Sequence, residues 1–147
     1  ERVLRHDPPL SGECEEAEKV IAAELDRAVT EVPELGHLHP VRRLIGLAGT
    51  VSTLALLDQG LDRYTRTAVH HAVLSLDRVG HWCEVLGGQS SEARGRLPGM
   101  EPGRRDVIFG GALILQAVMA RLDVGECLVS EADILDGLAA SLLGQSA

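Results

Sequence analysis

Apolar side chains recur every three or four residues in five stretches of the chain, and this spacing predicts five α-helices. The first helix is expected to be capped by Ser11 and stopped by Pro33. The predicted helices cover residues 11–32, 52–59, 75–87, 106–122 and 134–143. Residues 130–133 resemble a capping box, with Asp133 in place of the usual Glu or Gln. This motif predicts the start of the last helix.

Short apolar runs between these helices predict three β-strands. Residues 41–48 form a run bounded by Pro40 and Gly49, and residues 124–129 form a second. Residues 68–74 fit either period, and we favour a short strand before Ser75. The order α-β-α-β-α-α-β-α predicts a single α/β domain with a mainly parallel sheet flanked by helices, in which residues 41–48 are the central strand. Three strands are few for five helices, and the first residue, Glu1, is not a methionine. We therefore expect further strands upstream of Glu1.

The composition of the chain argues against two functional classes, nucleic-acid-binding proteins and membrane-spanning proteins. The chain has 147 residues, with 14 basic and 22 acidic side chains that give a net charge of −8, and only 2% of its residues are aromatic. It is therefore not expected to bind nucleic acid. The longest uncharged runs, 44–57 and 107–120, each have 14 residues, short of the ~20 that span a membrane. With no signal peptide and three widely spaced cysteines, we expect a cytoplasmic protein with reduced thiols.

The sequence that follows the first predicted strand has the chemistry of an anion site. A helix that begins directly after a strand offers unpaired backbone N–H groups and a partial positive charge. Gly49 would let a phosphate approach the backbone, and Thr50, Ser52 or Thr53 could donate hydrogen bonds to it. The alternative is ordinary helix capping. The lysine of a Walker motif is missing.

A second candidate feature precedes the fourth helix. Arg104 comes just before this helix, where its guanidinium could donate two hydrogen bonds to phosphate oxygens. Gly110 and Gly111 lie inside the predicted helix, where glycine is unfavourable, so a nucleotide or a neighbouring helix is expected to approach closely. For Gly111 we favour helix packing.

No metal site or catalytic residue can be assigned from spacing alone. The histidine pairs 37/39 and 70/71 lack a partner at metal-ligand spacing. The acidic candidates show no evident catalytic pair: Asp58, Asp62, Asp77, Asp106 and Glu131. Most of them are expected to cap helices or face solvent.

These motifs, in this order, resemble the Ppx/GppA family of exopolyphosphatases and guanosine pentaphosphate phosphohydrolases. The resemblance is carried by Arg5-His6-Asp7-Pro8-Pro9, residues 46–55, Val69-His70-His71, Pro98-Gly99-Met100, residues 102–108, Leu128-Val129-Ser130-Glu131 and Gly137-Leu138. It spans nearly the whole chain, and its look is actinobacterial.

The resemblance implies an actin-like superfold, in which two ribonuclease-H-like domains clamp a phosphate chain. This chain is similar to most of the second domain. The acidic Asp-x-Gly-Gly-Gly-Ser loop of the family is absent, as is the N-terminal domain that supplies the catalytic glutamate. Gly49, Thr50 and Arg104 would face the cleft, and Arg105 stands where the family often has a small residue.

On this resemblance, the full-length protein would use Mg²⁺ to hydrolyse polyphosphate or guanosine pentaphosphate, with metal ligands mostly outside this chain. The chain alone is expected to be inactive and to need its missing N-terminal domain. Two alternatives remain: a non-catalytic interaction module, for example a homodimer, and half of a sugar or acyl kinase of the same superfold.

Overall fold

Helices and strands alternate through the computed structural model, which describes residues 2–37 and 44–144. The three strands are β1 (Leu44–Leu47), β2 (Val73–Ser75) and β3 (Glu126–Ser130). The helices are α1 (Ser11–Glu31), α2 (Gly49–Gln59), α3 (Arg66–Val69), α4 (Leu76–Gly87), α5 (Ser91–Arg94), α6 (Ile108–Arg121) and α7 (Ile134–Leu142), with a 3₁₀ turn at Pro33–His37. All five predicted helices and three predicted strands are present, while α3 and α5 are one-turn additions. Residues 41–43 of the predicted first strand lie outside the described residues.

The strand order β1-β3-β2 corrects two predictions. The central strand is β3, whereas β1 lies at the edge of the described sheet. Only β1 runs parallel to β3, with Leu44 opposite Cys127, and β2 is antiparallel. The reason is that the connection after α2 returns the chain to the edge of the sheet where β3 ends. Strand β2 therefore starts beside the end of β3 and runs antiparallel to it.

Several element boundaries differ from the predictions by a few residues. The ambiguous stretch divides into the helical turn α3 and the strand β2, and Ser75 caps α4 by accepting a hydrogen bond from the Arg78 N–H. The N-cap of α1 is Leu10 rather than Ser11, since the Glu13 carboxylate binds the Leu10 N–H.

The two predicted caps near α6 and α7 are also displaced. Helix α6 begins at Ile108, because Asp106 accepts a hydrogen bond from the Ser91 hydroxyl instead of capping the helix. Helix α7 is capped by Asp133 and Asp136, since β3 continues through Ser130 and occupies the residue predicted as the cap.

The core lies between one face of the sheet and helices α1, α2, α4 and α6. Cys127, Val129 and Leu74 are buried on this face, and an added methyl at Gly46 would lie 2.7 Å from Val51 of α2. The opposite face carries a row of apolar side chains in register across the three strands, namely Val73, Leu128 and Ile45. Val73 and Ile45 are exposed, so helices cover only one side of the sheet.

All three thiols are free, and Cys83 and Cys127 are buried while Cys14 is partly buried. Burial raises the pKa of the Cys83 thiol to about 12, so it stays protonated near neutral pH. No helix in the described part of the chain is long and apolar enough to cross a lipid bilayer.

Candidate functional site

The candidate site lies where two adjacent parallel strands end. Leu47 of β1 is opposite Ser130 of β3, so the residues that follow each strand emerge at the same edge of the sheet. Gly49 opens α2 after β1, and Glu131 follows β3. In open α/β sheets, ligands bind in the crevice outside the carboxyl ends of the strands.

The turn between β1 and α2 is strained at Ala48. Its backbone has φ 69° and ψ −179°, a region that glycine occupies almost exclusively. The Ala48 carbonyl accepts hydrogen bonds from the Ser52 N–H at 3.4 Å and the Ser52 hydroxyl at 3.1 Å. The turn therefore positions the first residues of α2 at the cost of an unfavourable backbone conformation.

The first turns of α2 border a cavity of about 200 Å³. Gly49, Ser52 and Thr53 line it, and both hydroxyl residues are almost fully buried, with 8% and 3% of their surface exposed. Thr50 is not among the cavity-lining residues. An added methyl at Gly111 would lie 2.6 Å from the Thr50 Oγ1, so Thr50 packs against α6.

Arg104 forms the cationic wall of this cavity. It lies in the turn before α6, and its carbonyl accepts hydrogen bonds from the N–H groups of Val107 and Ile108. Its guanidinium lies against Gly49, because a methyl added there would be 2.8 Å from Nε and closer still to Nη2. The side chain is 40% exposed and its Nε is 3.9 Å from a carboxylate oxygen of Glu101, a long ion pair.

Glu131 completes the site. The sequence placed it among the acidic candidates but did not connect it with Gly49 and Arg104. Its carboxylate accepts hydrogen bonds from the Ser52 and Tyr64 hydroxyls, one on each oxygen. Its backbone N–H donates to His70 Nδ1 at 3.1 Å. The bond to Glu131 raises the pKa of the Tyr64 phenol above its ordinary value. The available signal was position, since Glu131 follows β3 as Ala48 follows β1.

Gly110, a candidate for close approach to a nucleotide, lies away from this cavity. Gly110 borders a different cavity of about 210 Å³, together with Asp7, Ser91 and the buried Arg94. The Arg94 guanidinium donates to the carbonyls of Leu86 and Arg105. Gly110 is therefore not brought together with Gly49 and Arg104, because the two cavities share no lining residue.

Two of the other acidic candidates, Asp58 and Asp106, have side-chain partners. Asp58 accepts hydrogen bonds from Arg78 Nε at 2.6 Å and Trp82 Nε1 at 3.0 Å, which joins α2 to α4. Asp77 lies in the first turn of α4. Asp106, which was expected to cap a helix or face solvent, does not cap α6, and its side-chain partners are Ser91 and Arg105.

The described residues do not by themselves provide a complete metal site. Within residues 2–37 and 44–144, no group of three or more histidine, cysteine, aspartate or glutamate side chains could hold a metal ion. The carboxylates of Glu101 and Glu131 line the cavity and are oxygen donors of the kind that Mg²⁺ prefers. His39 lies outside the described residues.

The strand order and the glycine turn define an α/β protein whose candidate site is suited to an anion. The profile of the Ppx/GppA phosphatase family matches residues 1–146. Exopolyphosphatase 2 of Mycobacterium tuberculosis is 36% identical over 98% of this chain, which spans 45% of that protein. The structure is similar to an exopolyphosphatase-like protein at a TM-score of 0.86 and 28% identity, covering 96% of this chain and 46% of that one.

A Ppx/GppA phosphatase from Aquifex aeolicus has the same fold, with a TM-score of 0.81 and 24% identity over 95% of this chain and 44% of its own. The chain belongs to the Ppx/GppA phosphatase family. Its fold is that of one ribonuclease-H-like half of the actin-like superfold, as expected. The chain spans about half the length of the relatives named here.

Proposed function

We propose that this chain forms one wall of the phosphate cleft of an exopolyphosphatase or guanosine pentaphosphate phosphohydrolase. The observation that carries the proposal is the Arg104 guanidinium lying against Gly49 at the start of α2. Family membership supports the reaction class. The residues proposed to contact phosphate are Gly49, Ser52, Thr53 and Arg104. Thr50 supports the wall by packing against Gly111.

The chemistry of this wall suits a phosphate group. The first N–H groups of α2 are unpaired within the helix and lie at its positive end. Arg104 adds a full positive charge and two parallel N–H donors for phosphate oxygens. Arg104 and Gly49, the first residue of α2, line the same small cavity, so one phosphate there would contact both.

In the proposed reaction, a water oxygen attacks the terminal phosphorus and the bond to the bridging oxygen breaks. Inorganic phosphate and a chain shorter by one phosphate leave, and the proton of the water passes to a carboxylate base. Arg104 would stabilise negative charge spread over the phosphoryl oxygens. The base and most Mg²⁺ ligands are assigned to the rest of the full-length protein, and we expect the 147-residue chain to release no phosphate. Release that is abolished by replacing a carboxylate of this chain would contradict this assignment.

The decisive experiment compares Arg104 with its neighbour Arg105 in the full-length protein. Arg104→Ala is expected to weaken substrate binding roughly ten- to hundredfold, the loss of a charge-assisted hydrogen bond. Arg104→Lys should restore only part of it, because a point charge lacks the bidentate geometry. Arg105→Ala removes the same charge from the same turn but not from the cavity, and should leave binding nearly unchanged. Equal effects at both positions would contradict the proposal.

A second candidate function is an interaction module. The observation that favours it is the apolar face of α7, where Ile134 is 84% exposed and Leu142 is 80% exposed. On this alternative the 147-residue chain dimerises at micromolar concentration, and Leu142→Lys restores a monomer. The kinase alternative is not proposed, because the chain belongs to a phosphatase family.

A further inference from the structure

The carboxylate of Glu131 occupies hydrogen-bond donors that an anionic ligand of the same cavity would use. Its Oε1 accepts from the Ser52 hydroxyl, in the first turn of α2, and its Oε2 accepts from the Tyr64 hydroxyl. Both hydroxyls line the cavity beside Arg104. A carboxylate and a phosphate are both anionic acceptors, so they compete for the same donors.

Charge makes simultaneous occupation unfavourable. Among the described residues, the charged groups that line the cavity are the carboxylates of Glu101 and Glu131 and the guanidinium of Arg104. A phosphate placed between them would face Glu131 at short range, where like charges repel strongly. Movement of Glu131 away from Ser52 removes this repulsion and frees a donor.

The hydrogen bonds of Glu131 can be exchanged at little cost. The single proton of the Ser52 hydroxyl has a second acceptor within reach, the Ala48 carbonyl at 3.1 Å, and can turn to it until a phosphate accepts it. Tyr64 is 45% exposed, and water can replace its partner. The backbone of Glu131 remains held by its bond to His70, so only the side chain needs to rotate.

We propose that Glu131 is an internal stand-in for the substrate, whose carboxylate holds Ser52 and Tyr64 until a polyphosphate chain displaces it. The inference rests on the proposed function and adds a built-in competitor to it. Displacement reduces the apparent affinity of every anion by the same factor, so Glu131 sets how tightly this wall holds phosphate. It is a positioning residue for the Ser52 and Tyr64 hydroxyls when no anion is bound.

Binding of inorganic triphosphate to the 147-residue chain, measured by calorimetry without divalent cations, tests the inference. Glu131→Gln should bind about tenfold more tightly than wild type, the gain expected if the hydroxyls are free one-tenth of the time. Glu126→Gln is the matched control, since it removes the same charge from the other end of β3. It should bind as wild type does. Tyr64→Phe removes a donor from Glu131 and from the ligand alike, so it should weaken binding in a Glu131→Gln background and change it less in wild type. An equal loss in both backgrounds contradicts the inference.

The single tyrosine of the chain supplies a direct readout. Labelling with 3-fluorotyrosine gives one ¹⁹F resonance, that of Tyr64. Saturating triphosphate should move this resonance in wild type towards its position in free Glu131→Gln, and should move it little in Glu131→Gln. A resonance that does not shift while triphosphate binds shows that Glu131 remains hydrogen-bonded to Tyr64, and overturns the inference.

The outcomes separate this inference from the proposed function. Binding that needs Arg104 but is unchanged or weakened by Glu131→Gln overturns the inference and leaves the proposed function standing. Absence of binding to wild type and to Glu131→Gln overturns the inference, whereas the proposed function fails if Arg104→Ala leaves substrate binding to the full-length protein unchanged.

Discussion

The guanidinium of Arg104 lies against the Cα of Gly49, in space that any other residue at position 49 would fill with its side chain. Two segments far apart in sequence, the turn after β1 and the turn before α6, meet at this contact. The absence of a side chain at Gly49 therefore leaves the space beside its backbone that the cation occupies.

Gly49→Ala should displace Arg104 without unfolding the protein. The clashing atoms are the end of a flexible, partly exposed side chain, so we expect the free energy of unfolding to change by about 0.5 kcal/mol or less. Triphosphate binding should weaken nearly as much as in Arg104→Ala, as measured by calorimetry. Gly103→Ala is the control, because a methyl there meets no atom within 4 Å. Unimpaired binding in Gly49→Ala would show that the contact does not position Arg104.

The adjacent glycines of α6 should respond in opposite directions to alanine. At Gly111 the added methyl lies 2.6 Å from Thr50 Oγ1 and 2.8 Å from its Cγ2, and this overpacking should cost about 1–3 kcal/mol. At Gly110 it meets nothing within 4 Å, and helix propensity should raise stability by up to about 1 kcal/mol. Urea denaturation of both variants measures the difference.

Thr50→Ala tests the cause of the Gly111 effect. It removes the two closest atoms and should recover part of the stability lost in Gly111→Ala. Failure of this rescue would place the strain elsewhere on α6.

Ala48→Gly should stabilise the protein. The backbone conformation of Ala48 costs about 1–3 kcal/mol in a non-glycine residue. Glycine relieves this strain but adds about 0.4–1 kcal/mol of disorder to the unfolded chain. A net gain in the free energy of unfolding is therefore expected, whereas Ala48→Val should lose stability. A loss of stability in Ala48→Gly would contradict the strain at this turn.

Acid should release the segment that precedes α1. The hydrogen bond from His6, with backbone N–H bonds from Leu10, His6 and Arg5, holds the pKa of the Glu13 carboxyl at about 2. A carboxyl whose pKa is depressed by folding stabilises the folded form above its ordinary pKa and loses this effect as pH falls towards 2. NMR titration of Glu13, with protease sensitivity of the segment, should show this loss. Glu13→Gln should remove the pH dependence of this segment.

The sequence predicted the part of the site that is local. The apolar run ending at Leu47, the glycine and the hydroxyl residues are adjacent in the chain, so the strand, turn and helix start could be placed together. Glu131 and Tyr64 could not be assigned to the site, because their approach to Ser52 depends on which strand neighbours β1 and on the path of the chain after α2. The antiparallel direction of β2 was missed for the same reason, since a three-residue strand carries no signal of its orientation.

The position of β3 between β1 and β2 has a consequence for how the chain acquires its structure. Both ladders of the described sheet are made with β3, and β1 and β2 do not pair with each other. Helices rely on contacts between near neighbours and form quickly, whereas pairing of distant segments is slow. On the ribosome, helices α1 to α6 can form as they emerge, but no strand pair of this sheet can form until Glu126–Ser130 has been synthesised. The edge that brings Gly49 and Glu131 together therefore cannot assemble before β3 has been made.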